Sequence, residues 1–258
     1  MSTTTRQDLL QAFDALLQPA RFKDYGPNGL QVEGKTQVRR IVSGVTASRA
    51  LIEAAIAAQA DAIFVHHGLF WRGKDGCNIG PVGGWMKQRL ALLLAHDINL
   101  FAYHLPLDAH PELGNNAQLG LQLGLAASAR FGEQDMGFLG GRSDGGSFAG
   151  IGALAEHIEN RLKRPVTHVG CAQEAIKKVA WCSGGAQGYF EAAIAAGADA
   201  FITGEISEPQ AHYAREMGVA FIACGHHASE RYGAPAVAAQ VAAQFGLQHQ
   251  FIDIDNPA

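Results

Sequence analysis

The chain has 258 residues, 48% hydrophobic and only 17% charged, and its 20 basic and 24 acidic residues leave a formal net charge of −4. That balance excludes an intrinsically disordered chain, which needs low hydrophobicity and high net charge. Without sustained heptads it is not a coiled coil, and without a basic excess it lacks the broad positive face of a general nucleic-acid binder. Ala (44 residues) and Gly (31 residues) fill more than a quarter of the positions; small side chains at that density suit helices packed closely on a sheet.

From the N-terminus, MSTTTRQDLLQAFDALL reads as an N-capped amphipathic helix rather than a signal peptide, because Gln11 and Asp14 interrupt its apolar residues. The longest candidate for a membrane span, residues 90–107, contains His96, Asp97 and His104. The expectation is therefore a soluble, cytoplasmic protein with no membrane partner. The cysteines, Cys77, Cys171, Cys182 and Cys224, are scattered without metal-binding or redox spacing. Cys182 and Cys224 sit in apolar runs and read as buried small hydrophobes in a reducing compartment.

An internal repeat organises the chain. Residues 53–65, EAAIAAQADAIFV, and 191–203, EAAIAAGADAFIT, share the blocks EAAIAA and ADA. Each follows an apolar run ending near a Ser-Gly pair, so each half spells strand, turn, Ala-rich helix, strand. The fold class expected is α/β: two similar lobes with mainly parallel sheets, residues 1–126 and 127–258, the C-terminal segment being free to return to the first lobe. The Gly-rich stretch 137–152 reads as a lobe boundary or connecting loop, and 72–84 as a lid or a surface excursion.

In parallel α/β sheets the chemistry gathers beyond the carboxyl ends of the strands. His66 and His67 follow the predicted strand 62–65, and His104 follows 100–103 with Asp108 four residues on. His226 and His227 follow 221–225, and Glu230 lies one helical turn beyond His226. Imidazoles with carboxylates are donors for Zn, Fe, Mn or Ni. Two His-His pairs at strand ends, each with an acid in reach, suggest a two-metal centre with a bridging carboxylate. His227 is weaker than His226, since a helical continuation turns it away. His96, His110, His157, His168 and His249 lack such context, and His212 reads as a helix residue. Glu205, in Thr203-Gly204-Glu205, occupies the repeat position of His67; it is either an acid–base group or a structural salt-bridge partner. The turn Ser183–Gly188 is either an anion-binding strand-to-helix turn or simply a tight connection.

Several stretches carry a resemblance covering nearly the whole chain: Asp24-Tyr25-Gly26-Pro27-Asn28-Gly29-Leu30-Gln31, Val65-His66-His67-Gly68, Tyr103-His104-Leu105-Pro106-Leu107-Asp108, Thr203-Gly204-Glu205 and Gly225-His226-His227-Ala228-Ser229-Glu230. The chain resembles the NGG-one-interacting-factor-three family, whose short bacterial members carry the name GTP cyclohydrolase 1 type 2 homologue. The resemblance implies a toroidal homohexamer with a dinuclear metal site in the cleft between the lobes. It implies His66, His67, Asp108, His226 and Glu230 as ligands of two divalent ions, with Glu230 bridging. His104 then stands behind the ligands or acts in acid–base catalysis, alongside Glu205. The function implied is a metal-dependent hydrolase acting on a small molecule, with GTP or another nucleotide as substrate; in the cyclohydrolase reaction water opens the guanine imidazole ring and releases formate. The alternative is a non-catalytic hexameric metal-binding scaffold for a protein or nucleic-acid partner.

Overall fold

A computed structural model describes residues 4–71, 81–170 and 175–258. Most of the Gly-rich loop expected over 72–84, with Cys77, and also Cys171, lie outside the described residues. The chain forms two compact units: Met1–Leu107 with Gly233–Asp255, and Asp108–Tyr232 with Asn256–Ala258. The first unit thus closes at Leu107, ahead of the boundary at 126 expected from sequence, and residues 233–255 return to it.

The first unit contains α1 (Arg6–Leu17), β1 (Gly29–Val32), β2 (Arg40–Thr46), α2 (Arg49–Ala57), β3 (Ala62–His67), α3 (Gly84–Ala95) and β4 (Asn99–Ala102). The returning segment adds α10 (Gly233–Phe245) and β11 (Gln248–Phe251). Helix α1 starts on a capping box, Thr5 and Asp8 bonding each other's backbone N–H, and buries Leu9, Phe13 and Leu17 at the i, i+4 spacing. The five strands run in the order β1-β4-β3-β2-β11, with β4, β3, β2 and β11 parallel and β1 antiparallel to β4. Ala62 to Val65 are fully buried, as a strand covered on both faces requires. Strand β3 runs on through His66 and His67 instead of ending before them.

The second unit receives the chain through α4 (Leu105–Ala109) and continues with α5 (Asn115–Gln122), β5 (Leu125–Phe131), β6 (Gly137–Arg142), α6 (Ile151–Leu162), β7 (Thr167–Val169) and β8 (Val179–Trp181). It closes with α7 (Phe190–Ala195), β9 (Ala200–Thr203), α8 (Glu208–Met217), β10 (Ala220–Ala223) and α9 (His226–Glu230). Its sheet has the order β5-β6-β8-β9-β10-β7. The central strands β8, β9 and β10 are parallel, and β5, β6 and β7 join antiparallel. The stretch 137–152 is therefore not a linker: it supplies β6 and the start of α6. Glycine is needed inside β6 because a Cβ on Gly140 would lie 1.9 Å from the Ala126 carbonyl oxygen of β5. Among the described residues, one apolar cluster gathers around Ile63, Leu100 and Leu51 and another around Trp181, Ile202 and Ile158.

The repeat survives in the hydrogen bonds. Asp61, just before β3, accepts from the backbone N–H groups of Arg39 and Arg40 at 2.9 and 3.2 Å. Asp199, its counterpart before β9, accepts from those of Lys177 and Lys178, both at 2.8 Å. Each carboxylate ties the start of one strand to the start of its parallel neighbour. Among the described residues no helix is long and apolar enough to cross a membrane.

Asp61→Ala leaves two backbone donors without their acceptor, and we expect it to lower the unfolding free energy at pH 7 by about 1–2 kcal/mol in chemical denaturation. Burial pushes the Asp61 carboxyl up, but Lys35 and the Arg39 and Arg40 N–H groups outweigh it and hold it below its ordinary value. Its contribution is therefore complete above an unfolded value of about 3.9 and is lost as the pH falls through the lower folded value. The gap between wild type and variant should close in acid; a gap unchanged at pH 2.5 contradicts this account.

Candidate metal centre

In the first unit the donors sit at the ends of two adjacent parallel strands. His66 is fully buried and His67 partly so; their rings lie 4.4 Å apart, centroid to centroid, and that of His104 is 4.9 Å from His66. One ligand atom from each of the three histidines lies within 4.8 Å of the others. The family resemblance sets His104 apart from His66 and His67 by role; the fold brings all three together.

Hydrogen bonds decide what these rings can do. His66 Nδ1 lies 3.1 Å from the Tyr103 carbonyl oxygen. A carbonyl only accepts, so Nδ1 carries the proton, and in the neutral ring Nε2 carries the lone pair, which is the metal-binding form. His67 Nδ1 is paired with Thr46 Oγ1 at 3.1 Å. His104 Nδ1 donates to Asp24 Oδ1 at 2.7 Å, and Asp24 Oδ2 accepts from Asn28 Nδ2 and from the backbone N–H of Leu105, both at 2.9 Å. Burial pushes the Asp24 carboxyl up, yet the hydrogen bond and charge of His104, with the other donors, bring it below the usual carboxylate range. Asn28 also accepts from the backbone N–H of His104 at 2.7 Å. Asp24 and Asn28 belong to the motif at 24–31, but nothing in their spacing marked them as the support of a histidine 80 residues on.

In the second unit, α9 begins at His226 and places His226 and Glu230 one turn apart. His226 Nε2 lies 3.2 Å from Glu230 Oε2, and His226 Nδ1 lies 2.6 Å from Glu205 Oε1. Burial pulls the His226 imidazole down, but the bonds and charges of Glu230 and Glu205 prevail and push it up to about 9. Without metal this ring holds a proton between two carboxylates, and a bound cation would take that proton's place. Glu205 thus touches His226 directly. His227 offers its backbone N–H to the Ala258 carbonyl oxygen at 3.2 Å.

Glu230 and Asp108 are both buried, 3% and 6% exposed. Asp108 Oδ1 accepts from Asn115 Nδ2 at 2.8 Å and from Ser183 Oγ at 3.2 Å. The Ser183–Gly188 turn resolves as a tight connection. The Ser183 N–H donates to Asn116 Oδ1, that of Gly184 to Ser229 Oγ and that of Ala186 to Thr203 Oγ1. Those three donors are committed inside the protein and are not offered to an anion. Gly184 is required there: its φ is +69°, and a Cβ would lie 2.1 Å from Glu230 Oε1. Cys182 and Cys224 are fully buried thiols pushed up by that burial, Cys224 to about 12, so neither supplies a thiolate nucleophile.

Asp24→Ala should leave the fold intact but remove the single Nδ1–H tautomer of His104, read by imidazole ¹⁵N NMR. An unchanged tautomer would show that Asp24 does not orient the ring. Gly184→Ala should lower stability by about 1–3 kcal/mol, because it adds backbone strain and collides with Glu230.

Comparison with known proteins agrees with the fold and the motifs. The model of the Duf34/NIF3 (NGG1p interacting factor 3) family matches residues 4–257. A Neisseria meningitidis protein named GTP cyclohydrolase 1 type 2 homolog is 52% identical over 253 residues, covering 98% of this chain and 99% of its own. A Pseudomonas aeruginosa protein of the same name is 50% identical over 260 residues, covering 97% of each. Among solved structures, protein ybgI, of unknown function, superposes with a TM-score of 0.92 at 45% identity, covering 99% of this chain and 100% of its own. TTHA1606 from Thermus thermophilus gives 0.87 at 32% identity, with the same coverage. The chain belongs to the Duf34/NIF3 family.

Proposed function

We propose that the protein is a metal-dependent hydrolase whose ligands for two divalent ions are His66, His67, Asp108, His226 and Glu230, with Glu230 shared by both. The observation that supports this reading best is the buried His66 ring, held by the Tyr103 carbonyl in the tautomer a metal requires and grouped with His67 and His104. The supply of imidazoles and desolvated carboxylates suits Zn, Fe, Mn or Ni. Divalent ions held by these residues would supply hydroxide near neutral pH by lowering the pKa of water.

The chain's own residues then bind, orient and move protons. Tyr103, Thr46 and Asn115 hold His66, His67 and Asp108 in place. His104, with its Nδ1 proton on Asp24, presents a basic Nε2 in the neutral ring, and Glu205 is an exposed carboxylate beside His226. We assign proton transfer to these two groups. The names of the relatives make GTP the first substrate to test; nothing in the donor set selects guanine over another hydrolysable group. The reading includes a cytoplasmic homohexamer, which rests on the family resemblance and is checked by sedimentation.

Elemental analysis of purified protein should find bound divalent metal. His66→Ala and Glu230→Ala should each weaken binding by about tenfold or more, and full metal content in both would overturn the ligand assignment. Turnover of GTP or of a member of a hydrolase substrate panel, lost on chelation, is the expected activity. Metal that stays bound with no turnover across the panel would favour a non-catalytic scaffold instead.

A further inference from the structure

We propose that Tyr25 and Trp71 form an open stacking surface for a planar nitrogen heterocycle in the substrate, beside His104. The inference rests on the hydrolase reading and names its substrate class. Tyr25 is 66% exposed and Trp71 37% exposed, whereas aromatic side chains of this size are usually well buried. Their placement is built into the unit. Asp24 and Asn28 pin the loop between them to His104 and Leu105. Gly26 brings that loop against the segment after β3, where a Cβ would lie 2.5 Å from the Phe70 carbonyl oxygen and 3.5 Å from the Trp71 ring. Trp71 stands perpendicular to His104 at 5.0 Å between centroids and 5.9 Å from His67, and Tyr25 lies 6.0 Å from His104. Gly26, Pro27, His66, Gly68, Trp71 and His104 line a hollow with room for about one water molecule, so a ring lies over it and not in it.

The chemistry of this surface selects its ligand. An aliphatic group laid there would cover imidazole edges without bonding to them, which is costly. A phosphate finds indole and phenol faces where it needs cationic or N–H donors. A flat heterocycle satisfies both demands: its π face covers Tyr25 or Trp71, while the nitrogens and oxygens in its plane meet the edge of His104, which is outside the ligand set.

Guanosine is the probe, with ribose 5-phosphate and tripolyphosphate as ring-free controls, on metal-loaded protein. Of the three tryptophans, Trp181 is buried and Trp85 is exposed, so a Trp85→Phe background makes Trp71 the exposed reporter. Guanosine should quench its emission saturably and the controls should not. In equilibrium dialysis Trp71→Leu and Tyr25→Leu should each weaken guanosine binding about tenfold, and Trp71→Phe and Tyr25→Phe should recover most of it. No guanosine binding to wild type, equal affinity in the Leu variants, or equal competition by tripolyphosphate would each overturn the proposal. The two readings fail separately. Leu variants with full metal and unchanged guanosine affinity sink the stacking surface alone, and metal retained in both His66→Ala and Glu230→Ala sinks the ligand set.

Discussion

The hydrogen bond from His66 Nδ1 to the Tyr103 carbonyl is the contact on which the donor set of the first unit depends. A buried imidazole must commit its N–H to an acceptor, and the choice of acceptor fixes the tautomer. The acceptor is in place because β4 runs parallel to β3, with Ala102 opposite Val65, and the chain continues with the Tyr103 N–H on the Val65 carbonyl. Tyr103 is itself held: its hydroxyl donates to Asp14 of α1 at 2.6 Å, and its ring packs on Phe13 and Phe64. Burial and the Asp14 carboxylate push that phenol far above its ordinary range, so it stays a neutral donor. The N-terminal helix thereby reaches the histidine through one tyrosine.

The second unit solves the same problem with carboxylates. Asp108 is desolvated but retains Asn115 and Ser183 as donors, and Asn116 bonds the Ser183 N–H, the Asp108 carbonyl and the Met136 carbonyl. A buried carboxylate without such donors would be driven to its neutral form, which binds metal poorly. The turn at Ser183 thus serves the fold by supporting Asp108 and by letting Glu230 approach Gly184.

The duplicated frame carries unlike chemistry in its two copies. Asp61 and Asp199 make equivalent strand-tying bonds, so the βαβ scaffold is the same device twice. At the strand ends the copies part: His66 and His67 in one correspond in the repeat to Gly204 and Glu205 in the other. Gly204 has no room for a side chain, because a Cβ would lie 2.6 Å from His226 Cα and from the Gly184 carbonyl oxygen. In the second unit the backbone of α9 fills the place that a His66 side chain occupies in the first, and the imidazole comes from that helix.

The α/β class, the repeat, and the placing of His66, His104, Asp108 and His226 at strand ends were legible in the sequence, because strand and helix periods and histidine spacing are local properties. The same local reading mistook residues 137–152 for a linker, since glycine in a strand is explained only by the neighbouring strand that approaches it. It also set the boundary at 126, whereas the first unit closes at Leu107, and it left open the return of residues 233–255, where β11 pairs with β2. The support of the site was equally hidden: Asp24 meets His104, and Ser183 meets Asp108, over separations of 80 and 75 residues. Residue types and their spacing determined which side chains are fit to hold a metal. Tertiary structure alone decided which nitrogen of His66 and of His104 carries the proton, and which donors support the buried Asp108, because both depend on partners brought near only by folding.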